Sequence, residues 1–441
     1  FGYDVAHLRG YNMAAGVMQN NNFHVWDMYD ADTFDYLAIV GSYGHRLAGQ
    51  HYEPHHAVGS MRLHNKLFLA ELDIRTFTAV TTQHGRQRSV GESVEMLKQY
   101  LSFVFMEGQA AWFADWSIPG VRGVGYFSDP SIVDVIAKTR DIYEQTLDVD
   151  RTSKAEIAVI VSGKAWHDHD VYFPPPIYNN LIAMTMWDQL SYIGAPYDVY
   201  RLHDLGNDFV QDQYKLYVFI NPFTMDEQDR AAARSLKGKG KTLLWFYAPG
   251  YVDHETGLML DGIEQVTGMH VSAKPDKEHM QYSIADPDHA ILSGIDAGAT
   301  YRFHPYGYDI SNQLHPPTLG PVFYIDDPDA HVLATYPDGR AAMAVKDDSI
   351  YCAVPYMNRQ LLRNIAASAG VHMYTAPGPV TKAAGPFVMV HKGYDRENVQ
   401  LRLPRDATAI DLYTGETMTS ENAVINLSHP RARTWLLRIS E

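Results

Sequence analysis

The chain has 441 residues and a formal net charge of −16, with 46% apolar and 20% charged residues, the make-up of a globular protein large enough for two or three domains. It contains no clustered Lys/Arg run and no apolar stretch near the ~20 residues of a membrane span, so nucleic-acid binding and membrane attachment are not expected. A single cysteine, Cys352, excludes an internal disulfide and any multi-cysteine metal centre.

From the start, "GYDVAHLRGYNMAAGVMQNN" reads as a helix, and "FHVWDMYD" and "FDYLAIVGSYG" as two short buried strands. "HNKLFLAELDIRTF" is an apolar strand that runs into Glu71, Asp73 and Arg75. "SVGESVEMLKQYLSFVFMEG" has helical spacing, with Ser89 as N-cap and Glu92 three residues on. "AAWFADWSI" is a further strand and "SDPSIVDVIAKTRDIYEQTLD" a closing helix. Strands alternating with helices over residues 1–150 predict parallel α/β architecture.

A second unit begins near Lys154. "AEIAVIVSG", "YKLYVFINP", "KTLLWFYAPG" and "SIYCAV" are continuous apolar strands of the kind covered on both faces. They alternate with helices that include "TMDEQDRAAARSLKGKG", whose expected N-cap is Thr224, and hairpin material falls between about 265 and 345. "TAPGPVTKAAGP", residues 375–386, reads as a linker. Five short strands beyond it predict a small antiparallel β-domain.

The chemistry concentrates at three strand ends. Residues two apart on a strand share a face, so Leu67, Leu69, Glu71 and Asp73 line one side and Phe68, Ala70 and Leu72 the other. A buried carboxylate costs several kcal/mol unless it is paired, and Arg75 is placed to be such a partner. A purely internal salt bridge is the competing explanation of this segment. "VGSYGHR" brings Tyr43, His45 and Arg46 to the same rim, and "AAWFADWSIPG" brings Asp115 and Trp116. Carboxylates beside aromatic platforms and hydrogen-bond donors suit glycoside chemistry, and the carboxyl ends of parallel barrel strands are where such groups gather.

On these segments the first 150 residues resemble the second half of the (β/α)8 barrel of clan-A glycoside hydrolases, nearest to the family 42 β-galactosidases. "MRLHNKLFLAELDIRT" is similar to strand seven, which implies Glu71 as nucleophile. "MEGQAAWFADWS" is similar to strand eight, with Trp116 as the sugar-site aromatic, and "FDYLAIVGSYGHR" to strand six. "YKLYVFINPFTMDEQDRAAARSLKGKGKTLLWFYAPGYVD" resembles the flavodoxin-like trimerisation domain of that family, and the β-rich end completes the same order. The resemblance therefore implies an α/β chain made of a partial (β/α)8 barrel (1–150), a doubly wound flavodoxin-like domain (151–375) and a small antiparallel β-domain (376–441).

It also implies a retaining hydrolase of a β-galactoside or related β-linked saccharide. Glu71 would attack the sugar, with Tyr43, His45, Arg46, Asp73, Arg75 and Trp116 around it, and the molecule would be a homotrimer. No cofactor or metal is expected. The Asn-Glu pair that carries the acid/base in that clan occurs nowhere in the chain. A preceding polypeptide that completes the barrel and supplies this group is therefore expected. The alternative is a non-catalytic carbohydrate-binding or assembly protein on a diverged scaffold.

Other features read as structural. His51 and His55 have helical spacing, but Pro54 argues against a helix and so against a metal site. "WHDHD", Trp166 to Asp170, is expected to bond a loop. Cys352 lies within a strand and lacks the glycine-flanked elbow of an amidotransferase nucleophile.

Overall fold

The computed structural model describes residues 2–3, 29–33, 35–41, 45–52, 57–80, 85–115, 125–166, 185–303 and 318–440. Four strands open the chain: β1 (Gly2–Tyr3), β2 (Tyr36–Val40), β3 (Leu67–Leu72) and β4 (Ala110–Phe113). They pair in parallel in the order β1-β2-β3-β4. Gly2 and Tyr3 were expected to begin a helix; they are extended instead and pair with Leu37 and Ala38. Most of that predicted helix, and most of the predicted strand after it, lie outside the described residues.

Helices connect these strands. α1 (Val58–Leu63) precedes β3, and α2 (Val90–Met106) crosses from β3 to β4. The Ser89 hydroxyl accepts from the Glu92 N–H at 3.2 Å and caps α2 as its sequence predicts. The Glu92 carboxylate turns back to the Arg88 N–H at 2.7 Å, one residue short of a capping box. α3 (Pro130–Gln145) starts at an Asp129 cap with Pro130 at its first position, where a missing N–H costs nothing.

The central sheet has eleven strands among the described residues. Its parallel part comprises β5 (Ile157–Val161), β6 (Tyr197–Arg201), β7 (Leu216–Phe219), β8 (Thr242–Phe246) and β9 (Ser349–Cys352), in the order β6-β5-β7-β8-β9. This is the doubly wound order, with its reversal between β5 and β7. Every residue of β5, β6, β7 and β9 is buried; β5 and β7 accordingly read as unbroken apolar runs, whereas β6 carries the buried charges Asp198 and Arg201. Antiparallel strands between residues 271 and 346 extend the sheet beyond β9.

The helix after β7, α4 (Glu227–Arg234), starts two residues later than a Thr224 cap requires. Asp226 caps it reciprocally with Asp229, while the Thr224 backbone bridges to Val252. A carboxylate pair outcompetes the hydroxyl because ionised acceptors bind N–H groups more strongly. α5 (Arg359–Ser368) follows β9, capped by Asn358.

The C-terminal sheet begins earlier than expected. β10 (Val380–Ala384) lies within the predicted linker and is buried along its whole length. It pairs with β11 (Phe387–Lys392), which pairs with β12 (Arg433–Ser440). Glycine, proline and alanine make this stretch look like a linker, but Val380 and Ala384 pack with Phe105 and Met106 of α2 and Phe387 of β11. The sheet covers the outer face of α2: the Glu95 carboxylate accepts from the Thr434 N–H at 2.6 Å, and its carbonyl from the Thr434 hydroxyl at 2.7 Å.

A buried charge network closes the junction of all three regions. Glu107, at the end of α2, bonds Arg62 of α1 at 2.7 Å and pairs with Lys382 of β10, whose ammonium also lies 4.0 Å from Asp198 of β6. Burial alone would raise the Glu107 pKa, but the Lys382 and Arg62 charges outweigh it and hold the carboxyl below its usual range.

Candidate active site

The segment that carries the predicted nucleophile follows the expected strand alternation. Phe68, Ala70 and Leu72 are fully buried against the helices, whereas Leu67 is 39% exposed and Leu69 half-buried. Glu71 shares the Leu67 side and sits one residue before the carboxyl end of β3, with 6% exposure. Its register partners are Val40 on β2 and Trp112 on β4. Residues in register on parallel strands lie about 4.8 Å apart and project to the same face. Trp112 therefore stands beside Glu71, and it is 37% exposed.

Trp112 was not singled out from the sequence. It lies in the quoted strand "AAWFADWSI", and the signal that could have found it is that it falls on the Glu71 face once β3 and β4 are aligned. Trp116 and Tyr43 lie outside the described residues. So do His55 and His56, and all of "WHDHD" after Trp166.

The strand stops at Leu72, so Asp73 and Arg75 belong to the loop beyond it and not to the strand face. Asp73 is buried and held by Arg46, whose Nη1 donates to the Asp73 carbonyl at 2.5 Å and to its Oδ2 at 3.1 Å. Arg46 is almost wholly buried, its guanidinium over the Tyr52 ring at 5.4 Å. Tyr52 in turn lies flat under Gly41, where a Cβ would come within 2.5 Å of the ring. Glycine is required there because the chain leaving β2 passes within contact of the Tyr52 ring, with no room for a Cβ.

Gln87 joins the two loops. Its amide donates to the Arg46 carbonyl, and its N–H to the Arg75 carbonyl at 2.9 Å. His45, beside Arg46, is buried, and its Nε2 is 2.5 Å from Asp188 Oδ1 of the central region, with the Trp187 ring edge-on at 5.9 Å. Thus Arg46 and Asp73, on separate loops, meet directly, and His45 sits next to them. Asp115 lies past the end of β4, where its Oδ1 accepts from the Phe127 N–H at 3.2 Å.

Among the described residues, no group of three His, Cys, Asp or Glu side chains is arranged to hold a metal ion. His51 bonds Ser191 at 3.2 Å. Cys352 is buried at the end of β9 and donates to the Val354 carbonyl, with its thiol pushed up to about 12 by burial. No described helix is long and apolar enough to cross a membrane.

No family model and no curated protein matches the chain. Solved structures do. The cold-adapted β-galactosidase of Rahnella sp. R3 aligns over 94% of this chain and 61% of its own, with a TM-score of 0.61 and 16% identity. The β-galactosidase of Bacillus circulans sp. alkalophilus aligns over 91% and 63%, with a TM-score of 0.58 and 12% identity. A catalytic mutant of Gan42B, a GH42 β-galactosidase from G. stearothermophilus, aligns over 94% and 60%, with a TM-score of 0.58 and 13% identity.

The chain thus has a fold shared with GH42 β-galactosidases, a scaffold on which glycoside hydrolases are built. It spans about three fifths of the length of these structures.

Proposed function

We propose that the chain is the greater part of a retaining glycoside hydrolase acting on a β-galactoside or a related β-linked saccharide, with Glu71 as nucleophile. The observation that carries this reading is the pairing of Glu71 with Trp112 at the carboxyl end of a parallel sheet, on its less covered face. A carboxylate beside an aromatic plane is the minimum a sugar ring needs: a nucleophile under the anomeric carbon and a platform for its apolar face. The fold shared with β-galactosidases supports the substrate class.

In this reading residues 1–150 are the C-terminal half of a (β/α)8 barrel, 151–375 a flavodoxin-like trimerisation domain and 376–441 a β-domain, and the assembly is a homotrimer. The exposed inner side chains of β3 and β4 speak for a partner surface, because apolar strand faces are normally covered. We assign that cover to a preceding polypeptide that completes the barrel and brings the general acid/base to about 5–5.5 Å from Glu71. His45, Arg46, Asp73, Arg75, Tyr43 and Trp116 complete the sugar surroundings. Arg46 acts by fixing Asp73 next to the nucleophile.

The test uses the complete polypeptide, or this chain with the one that completes it, on 4-nitrophenyl β-D-galactoside. Glu71→Gln is expected to lower kcat by at least about a thousandfold with an unchanged circular-dichroism spectrum. Unchanged turnover eliminates Glu71 as nucleophile. Tight galactose binding without turnover by the complete protein would favour the non-catalytic, carbohydrate-binding alternative.

A further inference from the structure

Residues 45–52 form the loop after β2 that carries His45 and Arg46, and they are held largely from outside the first sheet. At one end His45 Nε2 meets Asp188 Oδ1 at 2.5 Å. In the middle the Gly49 N–H donates to Nε2 of His391 on β11 at 2.8 Å. Gly49 has φ +94°, and a Cβ there would strike Gly393 Cα at 2.7 Å, so the loop lies directly on the C-terminal sheet. At the far end the His51 N–H donates to the Tyr192 hydroxyl at 3.0 Å, and its ring bonds Ser191. The central region thus grips both ends of the loop through one short segment, residues 187–192.

The loop is the only described part of the molecule that touches Asp73 through a side-chain charge: Arg46 holds both its carbonyl and its carboxylate. Asp73 is two residues past Glu71 and one past the end of β3. A shift of the loop is therefore passed to the chain immediately beyond Glu71, while Gln87 couples the same loop to the Arg75 carbonyl. Displacement of a reacting group by about 1 Å costs on the order of a hundredfold in rate.

We propose that Asp188 is a positioning residue for the Glu71 reaction: from the central region it orients His45 and, through the adjoining Arg46–Asp73 pair, fixes the chain that carries the nucleophile. The proposal rests on the reading of Glu71 as nucleophile. Its mechanical part, the coupling of Asp188 to residues 72–76, is measured without any activity. The Asp188 side chain is 31% exposed, so its truncation leaves no buried void.

The experiment is hydrogen exchange by mass spectrometry on the full chain, comparing Asp188→Ala, Asp188→Asn and, as a stability control far from the loop, Asp226→Ala. Asp188→Ala is expected to speed amide exchange roughly tenfold in both 45–52 and 72–76. Asp188→Asn, which keeps an acceptor for His45, restores most of the protection, and Asp226→Ala leaves both segments unchanged. If 72–76 keeps its wild-type protection in Asp188→Ala, or loses as much in Asp226→Ala, the proposal is overturned. His45→Asn provides a second entry to the same contact.

In the complete enzyme, Asp188→Ala is expected to lower kcat about tenfold or more with little change in KM, and Asp188→Asn to recover it. A rise in KM alone would overturn the positioning role. Should Glu71→Gln leave turnover intact, the nucleophile reading fails by itself, whereas the exchange result still decides the coupling.

Discussion

At the carboxyl end of β3 the first sheet leaves Glu71 beside a partly exposed Trp112, whereas at the corresponding ends of the central sheet the described side chains bond one another. At the reversal between β5 and β7, where doubly wound sheets bind ligands, Asn221 accepts from the Ser162 N–H at 2.8 Å and donates to its carbonyl at 3.0 Å. Lys164 is drawn to Asp226 and Asp229 at the start of α4. After β8, Tyr247 takes a left-handed backbone with φ +57°, the kind of elbow on which nucleophiles are displayed. Its ring is buried against Phe323 and Phe223, and its hydroxyl donates to the Pro321 carbonyl at 2.8 Å. Among the described residues the two parallel sheets thus differ at these ends: one keeps a carboxylate beside a partly exposed indole, and the other ties its crevice side chains to one another.

The largest expected effect tests this directly. Trp245 on β8 stacks on Phe219 of β7 with ring centres 3.8 Å apart and is fully buried. Trp245→Ala should cost about 3–5 kcal/mol in urea unfolding, the usual penalty for emptying an aromatic core site. Trp112→Ala, on the less covered face, should cost about 1 kcal/mol or less and, under the proposed function, reduce sugar affinity of the complete polypeptide. Equal destabilisation by the two substitutions would mean that the first sheet is as closed as the second.

A second effect concerns how the first sheet is held. His391 is fully buried, accepts from Gly49 at Nε2 and meets Thr434 at 2.8 Å through Nδ1. Burial, with the nearby His51 and Lys392, lowers its pKa to about 3. The unfolded chain takes up this proton below about pH 6.5, while the folded chain resists it until about pH 3. Stability contributed by the neutral ring is therefore complete above pH 6.5 and is lost as pH falls, by up to about 1.4 kcal/mol per unit. His391→Gln keeps a donor and an acceptor without the titration. Urea midpoints at pH 7, 5.5 and 4.5 should fall less steeply for the variant; identical slopes would show that the loop contact does not depend on a neutral His391.

Much of this was legible because it depends on local pattern. The apolar runs of β5, β7 and β8, the alternation of β3 and the Ser89 cap are each fixed by residues within a few positions of one another. What was missed depends on residues distant in sequence. β10 is hidden in "TAPGPVTKAAGP" because its partners, Phe105, Met106 and Phe387, are supplied by other elements. Arg75 and Arg46 were both candidates to sit beside the carboxylates, but that Arg46 reaches Asp73 from a loop 27 residues away is fixed only by the tertiary fold. Trp112 emerged only from the β3–β4 register, and Asp188 only from the docking of a region more than a hundred residues downstream of His45.

The smallest effect sharpens the account of the sealed crevice. Asp226 serves two purposes there: it caps α4 by accepting from the Asp229 N–H at 2.9 Å, and it pairs with Lys164 at 2.5 Å across the end of β5. Asp226→Asn keeps a good cap and discards the charge, whereas Asp226→Ala discards both. The cap is worth about 1 kcal/mol. The ion pair, about half exposed on the Asp226 side, adds at most a few tenths to 1 kcal/mol and is screened by salt. Asp226→Ala should therefore lower stability by about 1–2 kcal/mol, and Asp226→Asn by less than 1 kcal/mol at low salt and almost nothing at high salt. If Asp226→Asn is as damaging as Asp226→Ala at low salt and the damage vanishes at high salt, the crevice is closed by charge and not by the helix cap.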